Sequence, residues 1–598
     1  MRVSYAEDAV THPTASKAHK DEVDYDKAIV ELTGAIDRNP RDTEAYYNRG
    51  IAYNNKGDYD KGIADLTKVI EIEPRHVKAY INRGIALAQN LDYDTSIVDF
   101  TKAIEINRWH IEAYNGRGKV YHEKGQYDQA IDDFTEAIKI DPRDTTAYTN
   151  RGIALIAKGD YDKALVDLTR SLQINPKDAD AYYGYGKAYN GKGDYDKAIA
   201  NYTRAIEINP RHAKAYYNRG IAWAGKGNHA NAFADFTRAI EINPRDAKVY
   251  TSRGIAWIVK GNYDKAIADF TRAIELNPHH GKAYYNRGIA WAGKGNYDRA
   301  FIDFNKAIEI NPRDAEAYNN RAKVYSGKGD YDKAIDDFTR VIEINQGDVE
   351  AYNNRAKAYN DKGDYDKAIS DYIKAIEISP KDAEAYYGCG RAYRGKGNYN
   401  DAITYFSRTI EIDPRHGKAY YNRGLAYDSK WEYNKAIADF TKAIEINPKD
   451  AEVYYSRGVD YDNKGENDMA IADFTRAIEI KPGFVWAYIN RGVDYDNKGE
   501  NDKAIADFTR AIELNPKDAE VYNNRGKAYS GKGNYDKAIS DFTKAIEVNP
   551  RHAKAYYNRG KAYHDRGDHD KGIADYTRAA QLGSKNAQQY LRSKDISW

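Results

Sequence analysis

The side chains that usually carry chemistry are sparse or scattered in this chain. A single cysteine, Cys389, excludes an intrachain disulfide framework and a thiolate zinc cluster. The 13 histidines are dispersed, and six of them (His76, His110, His212, His280, His416 and His552) recur at one fixed place. No phosphate-cradling glycine loop, nucleophile elbow or metal-binding histidine pair is present. Asp460, Asp462, Asp494 and Asp496 could attract a cation, but they lack the spacing of a loop that wraps calcium. No catalytic residue, metal or cofactor is therefore expected, and the chemistry left is recognition.

Charge narrows what could be recognised. Lys+Arg is 92 and Asp+Glu is 91 over 598 residues, so no uncompensated basic face exists to displace counterions from a nucleic acid. No run approaches the roughly 20 apolar residues of a membrane span, so membrane insertion is not expected. The N-terminal residues Met1–Asp8 lack the apolar core of a signal peptide, which predicts a cytoplasmic protein. The anomaly is tyrosine, 55 against 14 Phe.

The elements that position these residues follow from a repeat. Fourteen of the 15 prolines, from Pro40 to Pro550, are separated by 34 or 68 residues. Taking this proline as position 32, sixteen copies of 34 residues run without insertion from 43 to 586. Within the first copy, Ala45–Tyr53 repeats large apolar groups at helical spacing, and Lys56-Gly57-Asp58 supplies a turn. Ile63, Leu66 and Ile70 form the stripe of a second helix, which Pro74 stops. Position 4 is Tyr in all sixteen copies, positions 8, 20 and 27 are small in almost every copy, and position 24 is Phe, Leu or Tyr. Large-into-small packing at fixed positions makes the tyrosines core and inter-repeat filler.

At these residues the chain resembles the tetratricopeptide repeat family, whose period and aromatic–Gly–aromatic–Ala–Phe–Pro pattern it matches over about nine-tenths of its length. The resemblance implies an all-α fold: an α-solenoid, a right-handed superhelix of antiparallel helix pairs. First helices would line a concave groove that binds proteins or peptides, and enzymatic activity in the family resides in separate domains. The ends differ from the repeat. Residues 1–23 read as a degraded, partly disordered tail and 24–42 as a half-repeat with a second helix only. Residues 587–598 read as a capping helix and tail.

Position 7 departs from the family, where a buried leucine is usual. Fourteen copies have Arg there, and fourteen have Asp at position 23. The exceptions fall in the same two copies, Tyr185 with Asn201 and Cys389 with Tyr405. Both positions lie equally far from the turn, which predicts an Arg–Asp pair inside each hairpin.

The family's groove positions are 2, 5, 6, 9, 12 and 13. Position 6 is Asn at Asn48, Asn82, Asn150, Asn218, Asn286, Asn320, Asn354, Asn422, Asn490, Asn524 and Asn558. In relatives such an amide grips an extended peptide backbone; it is equally a soluble, helix-tolerated residue. Apolar residues, Ile221, Ile255 and Ile289 among them, are followed by basic Lys323, Lys357, Arg391 and Arg394, then by Asp428, Asp462 and Asp496. Such blocks would select a ligand of matching segments, or they record surface drift among duplicated copies. Lys214, Lys248 and Lys282 form a stripe at position 2, resembling part of the clamp by which chaperone-binding relatives hold a C-terminal carboxylate. Ser252 and the lack of Arg at position 6 leave that clamp incomplete. The expected function is a non-enzymatic interaction scaffold or adaptor for proteins or peptides. The alternative is a structural scaffold that self-associates by end-to-end stacking.

Overall fold

The computed structural model describes residues 25–598. Among these, 34 helices follow one another from α1 (Tyr25–Arg38) to α34 (Lys585–Arg592), with no strand. The expected tail at 1–23, including the degraded segment Thr11–Val23, lies outside the described residues.

One repeat shows why the sequence folds this way. Asp42 heads α2 (Thr43–Lys56), its carboxylate accepting the Ala45 N–H at 2.9 Å. Gly57 ends that helix in the left-handed region at φ 86°, where a side chain would be strained. In α3 (Tyr59–Ile72), Leu66 and Val69 are fully buried. Asp58 makes no capping bond and instead binds Lys61 Nζ at 2.7 Å. The same position does cap in later copies, as Asp160 does for the Lys163 N–H. The small residue at position 8 is a steric requirement: a Cβ on Gly254 would stand 2.5 Å from the Phe270 ring. Two turns lack the glycine, and Leu91 and Trp431 take the left-handed conformation themselves at φ 63° and 62°.

The chain divides into two compact units, one ending at Asn311 and one beginning at Pro312. The first holds the described helices up to α17 (Tyr297–Ile310), and the second holds those from α18 (Ala315–Gly327) onward. Within each unit a helix packs on its sequence neighbours, giving stacked antiparallel pairs, an α-solenoid. First helices also touch the first helix of the next repeat, as α8 (Thr145–Lys158) touches α10 (Ala179–Gly191). They therefore form the inner face of each unit. α34 lays Ala587 and Leu591, both fully buried, over α33 (His569–Gln581).

All fourteen Arg–Asp pairs form, and each is bidentate. Arg219 Nε and Nη2 donate to Asp235 at 2.8 Å each, while Nη1 reaches back to Thr203 of the preceding repeat at 2.9 Å. The Arg219 guanidinium thus joins its own two helices and ties them to the repeat before. The hydrogen bonds it donates to Asp65 raise the Arg49 guanidinium pKa, while burial pushes the Asp133 carboxyl up in spite of Arg117 beside it. Matched geometry is what makes so buried a pair tolerable. In the two exceptional copies, Tyr185 bonds Thr169 of the preceding repeat, and Cys389 is fully buried, its thiol pushed up to about 12 by burial.

Candidate functional site

The candidate groove is the inner face of the first helices, and its asparagines are only partly free. Asn82 Nδ2 donates to the Tyr47 hydroxyl of the preceding repeat at 3.0 Å and to the Lys78 carbonyl at 2.9 Å. Asn218 binds Tyr183 and Lys214 O in the same way, and Asn422 binds Tyr387 and Lys418 O. Asn490 donates to Tyr455, Asn558 to the Asn523 side chain, Asn286 to Lys282 O and Asn320 to Glu316 O. Asn354 reaches Glu350 at 3.5 Å. In this ladder the N–H groups serve neighbouring repeats or the preceding turn, and the carbonyl oxygens are what a ligand would meet. Asn150 Nδ2 is buried with no partner, Asn48 is exposed and Asn524 half-buried.

The remaining positions sort by unit. In the first, Ile221 and Ile289 are half-buried, Ile255 is exposed, and Lys248 and Lys282 are more exposed than Lys214. In the second, Lys323 Nζ binds Glu350 of the next repeat at 2.7 Å and lowers the pKa of that carboxyl. Arg391 lies 3.9 Å from Asp361, Lys357 is exposed and Arg394 half-buried. The basic block is therefore partly neutralised from within. Asp428, Asp462 and Asp496 are half-buried, and Asp496 receives Lys527 at 3.4 Å.

Several residues of this face carry more than their sequence position suggested. Lys119 and Lys187 stand at position 9, where burial pushes both below the usual lysine range. Neither has a carboxylate within ion-pair distance among the described residues; Lys187 lies over the Tyr183 ring at 5.8 Å. Asp460 and Asp494, at position 10, are fully buried, and burial together with a neighbouring carboxyl pushes them up to about 8 and about 7. The signal was available: position 10 is Ala or Val in the other fourteen copies. Trp486, at position 2, is 58% exposed. Four of the six recurring histidines, His76, His212, His416 and His552, cap their helices, as His76 Nδ1 accepts the Ala79 N–H at 3.1 Å. Among the described residues, no group of three or more His, Cys, Asp or Glu is placed to hold a metal ion, and no helix is long and apolar enough to cross a membrane.

A hairpin of this geometry, stacked in this register, defines a class. The tetratricopeptide repeat profile matches residues 43–76, 145–178, 213–246, 315–348, 383–416, 417–450 and 451–484, in the register set by the prolines. Further profiles of the same description match 254–315 and 523–587, and 168–200 and 338–370. A TPR repeat profile matches 118–159, 186–227, 356–397 and 494–533. The chain belongs to the tetratricopeptide repeat family, a protein-interaction scaffold kind of protein.

Solved structures similar to it include MamA, at 36% identity over 27% of this chain and 95% of that one, TM-score 0.27. YrrB, described as having an unusual peptide-binding site, is 28% identical over 31% of this chain and 95% of its own, TM-score 0.27. A tetratricopeptide repeat protein from Parabacteroides merdae is 20% identical over 46% of this chain and 99% of its own, TM-score 0.35. No curated protein matches the sequence.

Proposed function

We propose that the chain is a non-enzymatic scaffold whose protein or peptide partners lie along the first-helix groove. The observation that carries this reading is where unsatisfied charge sits. Between the helices of fourteen hairpins, guanidinium and carboxylate meet in matched pairs. On the groove face, Lys119 and Lys187 are desolvated without a carboxylate partner, and the Asp460 and Asp494 carboxylates accept no hydrogen bond. Ionisable groups buried without a partner, at a cost to the free protein, are what a bound partner can compensate. End-to-end self-association draws no support from the C-terminal end, where α34 covers α33.

Site-specific photocrosslinking in a lysate of the source cells tests the reading. A photoreactive residue at Ile255, in the groove, should trap a discrete partner. One at Val166, 69% exposed on a second helix, should not. Equal trapping from both positions removes the groove from the account.

A further inference from the structure

Three successive first helices of the second unit depart from patterns that the rest of the chain keeps. They are α24 (Gly417–Asp428), α26 (Ala451–Asn463) and α28 (Val485–Asn497). Only here is position 12 Asp (Asp428, Asp462, Asp496), and only here does position 10 change from Ala or Val to Asp (Asp460, Asp494). Position 2 is charged in fourteen copies and Thr146 in one; the remaining copy carries Trp486.

The aspartates meet in pairs across repeats. Asp428 on α24 comes within hydrogen-bonding reach of Asp460 on α26, and Asp462 on α26 does the same with Asp494 on α28. Two carboxylates have no donor between them, and all four oxygens of Asp460 and Asp494 are buried without a partner. The nearby cations are engaged elsewhere. Lys430, just after α24, and Lys435 on α25 (Tyr433–Ile446) both hold Glu432. Lys464, after α26, binds Glu466. Lys498, after α28, binds Asp468 on α27 (Asn467–Ile480) and also approaches Glu500 at 3.5 Å. Lys503 on α29 (Asn501–Leu514) binds Glu500, and Lys527 on α30 (Ala519–Gly531) turns to Asp496.

A second observation points to the same kind of ligand. Trp486 stands at groove position 2 of α28, 58% exposed, ten residues from Asp496 and so about 15 Å along the helix. Carboxylates and an open indole face on one surface are complementary to organic cations. Each pair supplies only two carboxylates, too few for a metal cage, whereas a guanidinium or ammonium brings its own donors.

We propose that the groove of α24, α26 and α28 binds a basic segment of a partner protein, with lysine or arginine side chains seated against the Asp428–Asp460 and Asp462–Asp494 pairs and over Trp486. This rests on the groove reading above and names its ligand chemistry. Burial and the neighbouring acid raise the pKa of Asp460 and Asp494, so a cation seated against the pairs favours release of their protons, and binding tightens as pH rises.

The test uses the full chain and a fluorescein-labelled peptide of alternating Arg and Ser, with a Glu/Ser peptide as counterpart. Anisotropy is read at about 150 mM salt, which screens loose attraction. The Arg peptide should bind at least tenfold more tightly at about pH 8.5 than at about pH 6, and the Glu peptide should not bind. Asp428→Asn with Asp462→Asn should cost tenfold or more and flatten the pH dependence, with unchanged helical circular dichroism and every histidine intact. Trp486→Ala should cost severalfold. Binding of the Arg peptide that is no tighter than that of the Glu peptide, or is untouched by the Asn substitutions, overturns the proposal. So does calcium alone binding in a manner those substitutions abolish, which would make the pairs a metal site. Partner crosslinking at Ile255 with failure of the Arg peptide would sink this inference and leave the groove reading standing.

Discussion

The hairpin interface and the groove of α24, α26 and α28 treat buried charge in opposite ways. At positions 7 and 23 a carboxylate fits a guanidinium through two parallel bonds, as Arg457 does with Asp473. Three residues further along the same helix, Asp460 faces another acid. Family membership accounts for neither; the first builds the stack, and the second is carried at the expense of stability. Burial of charge therefore marks scaffold where it is matched and candidate function where it is not.

The comparison breaks most visibly at the matched pairs. Arg219→Ala or Asp235→Ala should each destabilise the repeat by about 3–5 kcal/mol, because the survivor is left buried and alone. The double variant should lose much less than the sum in denaturant melts, and additivity would mean the pair does not act as a unit. Acid pairs should respond in the other direction: Asp460→Ala, which restores the residue found at Ala426 and Ala528, should stabilise the chain by about 1–3 kcal/mol at pH 8 and above. The sign follows from the raised pKa. Between the ordinary 3.8 and about 8, the folded state holds a proton that the unfolded state releases, so stability falls as pH rises through that window. The gain from Ala should therefore fade below about pH 4, and thermal melts across that range would expose a gain of constant size as a contradiction. A smaller effect lies at the turn beside Asp428. Trp431 is 80% exposed in a left-handed conformation, so Trp431→Gly should add about 1 kcal/mol. A loss of stability in the same melts would show that the indole contributes contacts worth more than the strain.

Much of the fold was legible because a period leaves little freedom. Proline spacing fixed the register, and the paired exceptions at 185/201 and 389/405 revealed the Arg–Asp contact before any coordinates. The third bond of the arginines, to a hydroxyl of the repeat before, was missed, although Ile373 replaces the usual threonine in the copy preceding Cys389. The groove was less legible because position predicts which way a side chain points but not what surrounds it. Spacing alone could not show that Asn82 and Asn218 spend their N–H groups on Tyr47 and Tyr183, or that Lys323 is met by Glu350. Asp460 and Lys119 look like surface residues in a list and become anomalous only when their burial is known.

The backward reach of the arginine gives the array a direction. Arg49 finds its acceptor, Thr33 at 3.0 Å, on α1, so the hairpin of α2 and α3 leans on the helix before it. Many of these threonines also donate to their own helix, as Thr67 Oγ1 does to Ile63 O. When the last hairpin of a stack comes away, it leaves behind a threonine that is still bonded. When the first comes away, it leaves an arginine with an idle N–H. The two ends of the stack are thus not equivalent: α34 closes the C-terminal side over α33, and α1 acts as the footing on which Arg49 stands.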